Sequence, residues 1–277
     1  MNVKKVFKNV LLWLVLAMAM VIMLYPLFWI FLTSIKTPDD QINLPAYAFP
    51  MKVTFDNYKA IFDSMIPVYF KNSIIVTVIS LIGIVTMGSL ASYPLSKMEF
   101  KGRTFVRNYI MMGLMIPIFV ALIPLFRIYN ELGLINTHWA VILPQFGFAL
   151  PISMYLFIAF MDQIPNSLIE AAYMDGGGSF RIYLSIILPL SKNTIVTVAI
   201  FQFIGIWNEF TFANTFLSTS EMKTIPIGLN DFVNSYGMRD WGLTFAAVAA
   251  TVLPTLIIFF FLNRQVMSGM TAGAEKG

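Results

Sequence analysis

Glu170 opens the one segment of this chain in which chemically useful residues are gathered at meaningful spacing. The run EAAYMDGGGSFRIYLSIILP, from Glu170 to Pro189, joins a carboxylate, two very small side chains (Ala171, Ala172), a second carboxylate (Asp175), three glycines (Gly176, Gly177, Gly178) and an Ile186-x-Leu188-Pro189 ending. Alanine is the best helix former and adds almost no bulk, so another backbone can approach such a helix closely. Glycine permits the positive φ that a sharp helix end requires. Pro189 disturbs any helix that runs through it. The predicted product is a short helix, a tight bend and a second helix from about Ser179, kinked at Pro189. Pro165 suits the first turn of the first helix, and Ser167-x-x-Glu170 fits a capping box. This is the chemistry of a knob that docks in a groove and moves as a rigid body, rather than of bond making.

Bond-making chemistry has few other places to sit. The chain has no cysteine and one histidine, His138, which excludes disulfides, thiolate sites and histidine metal clusters. It contains no Gly-x-x-x-x-Gly-Lys-Ser/Thr phosphate loop, no His-Glu-x-x-His, no Gly-x-Ser-x-Gly and no intramembrane acid pair. The expectation is a protein that binds no ATP itself, needs no cofactor or resident metal, and is not an enzyme. The basic residues are scattered, with no stripe interleaved with stacking aromatics, so nucleic acid is not an expected partner.

The elements that must position the loop are set by apolarity. Of 277 residues, 58% are apolar and only 12% charged, about half the charge of an ordinary soluble protein, roughly 25%. A membrane takes up such a surplus. Crossing it as a helix needs about 20 mainly apolar residues, and six stretches qualify: 10–33, 73–95, 108–126, 139–161, 193–212 and 242–262. The expected fold is all-α, one polytopic domain over 1–277, with the docking loop at 162–191 and a polar tail at 263–277. The run from Val10 is too long for a secretory signal of about 7–15 apolar residues and has no small-x-small cleavage site, so it reads as an uncleaved first span. Short loops decide orientation. Ser96–Arg107 carries Lys97, Lys101, Arg103 and Arg107, while Asn130–His138 carries no Lys or Arg. The basic loop belongs in the cytoplasm, which places both termini and the Glu170 loop there too. The long loops 34–72 and 213–241 then lie outside and are expected to form short helices. Pro94, Pro117, Pro124, Pro144, Pro151 and Pro254 are candidate kink sites.

The Glu170–Pro189 spacing resembles the EAA loop of membrane subunits of ATP-binding-cassette (ABC) importers: Glu-Ala-Ala, three residues, Gly, nine residues, Ile, one residue, Leu-Pro. The triple glycine departs from the usual Gly-Ala of that loop. Further segments are similar to the carbohydrate branch, of the kind represented by the smaller six-span permease of maltose importers. They are Ala91–Lys97 with Phe100–Arg103, Ile123–Phe126, Gly133–Thr137, Pro189–Lys192, Trp207–Phe210 and the ending Gly269–Gly277, which departs at Met270 and Glu275. The resemblance implies a permease subunit of a carbohydrate importer in a prokaryotic cytoplasmic membrane. It implies a second, non-identical permease, two cytoplasmic ATPase subunits and an extracytoplasmic sugar-binding protein as partners. Glu170, Ala171, Ala172, Asp175, Gly176, Gly177, Ile186, Leu188 and Pro189 would couple to the ATPase. Gly269, Thr271, Gly273, Lys276 and Gly277 would form a tail at the ATPase interface, although their glycine-rich composition favours extended backbone. Gln145, Gln202 and Asn208 are candidates for the sugar path, beside the plainer role of hydrogen bonding between helices. Glu209 sits at the outer end of span five, as interfacial group or substrate contact. An importer of another solute stays open. So does an ion-coupled carrier, for which inverted repeats and broken helices are expected; neither is evident in the sequence.

Overall fold

The computed structural model describes the backbone of residues 3–232 and 240–274 and the side chains of 7–232 and 240–261. Each long apolar run becomes helical, because a helix satisfies every backbone polar group internally. In chain order the helices are α1 (Val3–Ser34), α2 (Pro38–Asn43), α3 (Asp56–Phe62), α4 (Ile66–Lys97), α5 (Arg103–Met112), α6 (Ile118–Glu131), α7 (Trp139–Met161), α8 (Asn166–Met174), α9 (Ser179–Ile182), α10 (Leu188–Leu190), α11 (Lys192–Trp207), α12 (Thr211–Phe216), α13 (Ile225–Gly228) and α14 (Trp241–Ala274). Among the described residues there is no strand, only an isolated bridge between Lys36 and Val53. The long loops do carry short helices, as expected: α2 and α3 in the first, α12 and α13 in the second.

Four helices are long and apolar enough to cross a membrane singly: Phe7–Ser34, Ile66–Lys97, Trp139–Met161 and Trp241–Phe261. The third predicted span is broken at Pro117, one of the candidate kink sites, and the fifth is preceded by a bend that joins it to the helix from Ser179. Arg103–Met115 and Ile118–Glu131 meet at 96°, and Ser179–Leu190 and Lys192–Trp207 at 74°. The first break has a local cause. Proline drives the residue before it out of the helical region, and Ile116 before Pro117 is extended, at φ −82°, ψ 114°. Pro94, Pro124, Pro144, Pro151 and Pro254 instead lie inside continuous helices.

The chain divides into two units. The first, Met1–Pro67 with Leu229–Leu253, is organised around the residues after α1. Thr37 caps α2 by accepting from the Asp40 N–H. The Asp40 carboxylate accepts from the Met51 and Lys52 amides at 3.0 and 3.2 Å, which folds the loop back. Asn57 donates to the carbonyls of Ser34 and Lys36, both at 2.9 Å, and ties α3 to the end of α1.

The second unit, Val68–Gly228 with Pro254–Gly277, holds the larger cores. One gathers Val76 and Ile84 of α4, Val141 and Ile142 of α7, Ile206 of α11 and Phe212 and Phe216 of α12. A second gathers Tyr93, Phe157, Met161, Ile169, Ile182, Tyr183 and Ile187, so it seats the Glu170 loop on α4 and α7. α14 runs helical to Ala274, which corrects the expectation of extended backbone at Gly269, Thr271 and Gly273. Lys276 and Gly277 lie outside the described residues.

Candidate functional site: the Glu170 loop and its seat

α8 begins after Pro165, which occupies the N-cap position, and no side chain caps it. The predicted Ser167–Glu170 capping box is therefore not formed. The helix has two faces set by its period. Ile169 is buried at 5% exposure and Ala172 is half-buried, while Leu168, Glu170, Ala171 and Met174 stand out, Met174 at 87%. Glu170 makes no side-chain hydrogen bond or ion pair among the described residues, and it and the small Ala171 are both exposed.

The helix ends in a Schellman motif. The Gly176 amide donates to the Tyr173 carbonyl at 3.0 Å, and the Gly177 amide to the Ala172 carbonyl at 2.9 Å. The three glycines have different duties. Gly176 takes the left-handed conformation, φ +80°, which costs an L-residue roughly 1–2 kcal/mol. Gly177 does not, but a Cβ there would stand 2.8 Å from the Ala172 carbonyl oxygen. Gly178 is at φ −75° with open space around it. Across the turn, the Tyr173 and Ser179 hydroxyls are 2.9 Å apart. Behind it lies a hollow of about 140 Å³ lined by Ala172, Asp175, Gly177, Arg181 and Ile186, among others.

The return path differs from the predicted kink at Pro189. Residues Tyr183–Ile187 form a π turn, and the main bend comes after Leu190, at Ser191. Proline supplies no N–H and crowds the carbonyl four residues back, so a wider turn ahead of Pro189 relieves both demands. Ile187 is buried, Ile186 and Leu188 are partly buried, and Pro189 is exposed. Ile186 and Leu188 pack on the second core.

Sequence reading missed how this loop is pinned. Lys97, the last residue of α4, donates from Nζ to the Ile164 carbonyl at 2.6 Å and to Asn166 Oδ1 at 3.1 Å. Ser96 donates to Asp162 Oδ1 at 2.6 Å, and Arg107 Nη1 stands 3.6 Å from Asp162 Oδ2. Arg103 donates to the carbonyls of Leu95 and Ser96, both at 2.8 Å. The basic cluster after span two, read from sequence only for orientation, thus ties α4 and α5 to the base of the loop. The density of cations opposite the lone Asp162 was the available signal.

The three candidates for a sugar path stand in different surroundings. Gln202 is buried and donates to Ser153 Oγ at 2.9 Å, and Ser153 donates to the Ala149 carbonyl at 2.8 Å. Gln145 is buried, with no partner for its Nε2. Asn208 is exposed at the end of α11 and donates to the Ile204 carbonyl at 2.8 Å. Glu209 accepts from the amides of Phe212 and Ala213, at 2.6 and 3.0 Å, and so caps α12.

Residues 84–270 match one protein family, described as "Binding-protein-dependent transport system inner membrane component". The chain belongs to that family. This binding-protein-dependent permease is a multi-pass membrane protein, in keeping with its apolar helices. It is 36% identical to the galactooligosaccharides transport system permease protein GanQ of Bacillus subtilis, over 100% of this chain and 99% of the relative. It is 31% identical to the trehalose/maltose transport system permease protein MalG of Thermococcus litoralis, over 99% of both. Its fold is that of a chain in the crystal structure of a bacterial ABC transporter that imports the acidic polysaccharide alginate. The TM-score is 0.86 at 20% identity, over 95% of this permease and 98% of that chain.

Proposed function

We propose that this chain is a membrane subunit of an ATP-driven importer of oligosaccharides or other glycosides. The observation that carries the reading is full-length similarity to permeases whose names specify galactooligosaccharides and trehalose or maltose. The chain acts as one transmembrane domain of six spans and supplies half of the path beside a second, non-identical permease. The "binding-protein-dependent" character of the family supports an external sugar-binding protein as partner, and the exposed Glu170 loop supports two cytoplasmic ATPase subunits.

In this reading Glu170, Ala171, Ala172, Asp175, Gly176 and Gly177 meet the ATPase. Ile186, Leu188 and Pro189 carry its movement into α11. The Lys97 and Asp162 contacts carry it into α4 and α5. The α14 end, with Gly269, Thr271 and Gly273, and beyond it Lys276 and Gly277, reaches the ATPase interface. Both termini and the Glu170 loop are cytoplasmic, a reading supported by the basic Ser96–Arg107 loop.

Reconstitution in liposomes with the second permease, the ATPase and the binding protein tests this. Labelled sugar is expected to enter only with ATP on the ATPase side. Uptake by this chain alone on a proton or sodium gradient would overturn the proposal, and uptake of a non-sugar solute instead would overturn the substrate class. Reporter fusions after Lys97, His138, Gly178 and Met222 are expected inside, outside, inside and outside.

A further inference from the structure

The first unit contains a cavity that the coupling mechanism does not use. It measures about 300 Å³ and is lined by Trp29, Thr33, Lys36, Gln41, Trp241 and Phe245, among others. That is the low end for ligand cavities, about 300–1,000 Å³, enough for a headgroup but not for a whole lipid.

Its polar groups are oddly placed for a site of purely structural purpose. Lys36 is 1% exposed. Its Nζ donates to two neutral acceptors, the carbonyls of Pro45 at 3.3 Å and Ala46 at 3.1 Å. An ammonium has three donors, and neither ion pair among the described residues includes Lys36. A cation this buried is normally paired. Thr33, three residues earlier and near the end of α1, is also buried, and its hydroxyl has no hydrogen-bond partner among the described residues. Two groups able to donate to an anion therefore line one cavity, and among the described residues no carboxylate is within ion-pair distance of Lys36.

The walls are apolar and aromatic. Trp29 and Phe245 meet edge to face at 5.2 Å, and Phe245 stacks on Trp241 at 5.8 Å. Trp29 lies near the end of α1 and Trp241 begins α14, the positions at which tryptophan marks the membrane–water boundary. The apolar span of α1 that leads to the cavity has none of its most apolar window buried. A ligand that fits is anionic at one end and apolar at the other, and it arrives along the membrane. We infer that this cavity holds the phosphodiester headgroup of an anionic phospholipid, with Lys36 and Thr33 on the phosphate and Trp29, Trp241 and Phe245 along the glycerol and upper chains.

The test is thermal unfolding and native mass spectrometry of the full chain in neutral detergent. It is titrated with phosphatidylglycerol, phosphatidylcholine, inorganic phosphate or the transported sugar. Phosphatidylglycerol is expected to be retained and to raise the Tm more than phosphatidylcholine does. Lys36→Met should weaken phosphatidylglycerol by about tenfold or more, the scale of a lost charge-assisted hydrogen bond. Because Lys36→Met also strips a donor from two carbonyls, Thr33→Val is the second variant. Its hydroxyl has no hydrogen-bond partner among the described residues, so lipid-free Tm should not fall while the lipid-dependent gain shrinks. Equal responses of wild type and both variants to phosphatidylglycerol would overturn the site. An equal response to inorganic phosphate would overturn the lipid as ligand, and a response to sugar alone would overturn the anion.

Discussion

The Glu170–Pro189 loop and the polar residues of α7 and α11 are both departures from an apolar chain, yet they use their polar groups in opposite ways. In the loop, Glu170 is exposed and makes no side-chain hydrogen bond or ion pair among the described residues, and Met174 beside it is 87% exposed. The fold asks nothing of these side chains. In the bundle, Gln202 is engaged with Ser153, and Ser153 with a carbonyl of its own helix. Exposed groups that the fold leaves idle are available to another subunit, while buried groups already paired hold the bundle together. Backbone geometry reverses the relation. The loop depends on two glycines for its turn, while the bundle carries Pro144 and Pro151 inside one continuous helix.

Substitutions at four positions would break or sharpen this contrast. Gly176→Val has the largest expected effect, because a β-branched residue resists φ +80°. The Schellman turn should open and uptake by the assembled transporter fall about tenfold or more, the equivalent of ~1.4 kcal/mol. Gly176→Asn, a residue that tolerates this conformation, should retain most uptake; equal loss in both would show that the left-handed turn is not what uptake depends on. Next is Glu170→Lys. Uptake and binding-protein-stimulated ATPase activity should fall, while the Tm of the isolated subunit stays put, since a surface change of this kind alters stability by about 0.5 kcal/mol or less. A matching fall in Tm would mean that Glu170 serves its own fold.

Lys97→Met should weaken the seat of the loop by roughly 1.5–3 kcal/mol, the range for hydrogen bonds to charged groups. Its signature is ATPase activity less responsive to the loaded binding protein, with the subunit still in the membrane. Normal coupling in this variant would limit Lys97 to orientation. Gln202→Leu is expected to do least. It removes one interhelical hydrogen bond, about 0.6 kcal/mol on average in membranes, so a small drop in Tm should come with nearly unchanged uptake. A large loss of uptake at constant Tm would return Gln202 to the sugar path.

Much of the loop was legible in the sequence because its determinants are local. Ala171 and Ala172 favour helix, a glycine is needed just past the helix end, and Pro189 perturbs the returning helix. Which of three glycines takes the left-handed turn was not legible, since Gly177 and Gly178 are equally permissive. The choice is set by where α8 ends, and that rests on Ile169 seating in the core with Met161 and Phe157. The capping box failed for a related reason: a helix that starts at Asn166, with Pro165 at its N-cap, leaves Ser167 two residues too deep to cap it.

The sequence alone determined the solvent and the elements. Apolar runs of sufficient length require helices, and α7 lies where its run predicts, at Trp139–Met161. It also determined the motif order, because spacing is a property of the chain itself. Only the tertiary structure decided how sharp the bends are, 96° and 74°, the pairing of Gln202 with Ser153 across 49 residues, the helix cap made by Glu209 and the Lys97 clamp on a carbonyl 67 residues away. Apolarity fixes which segments leave water. The partner of a buried polar group is fixed by which helices pack together, and no local pattern encodes that.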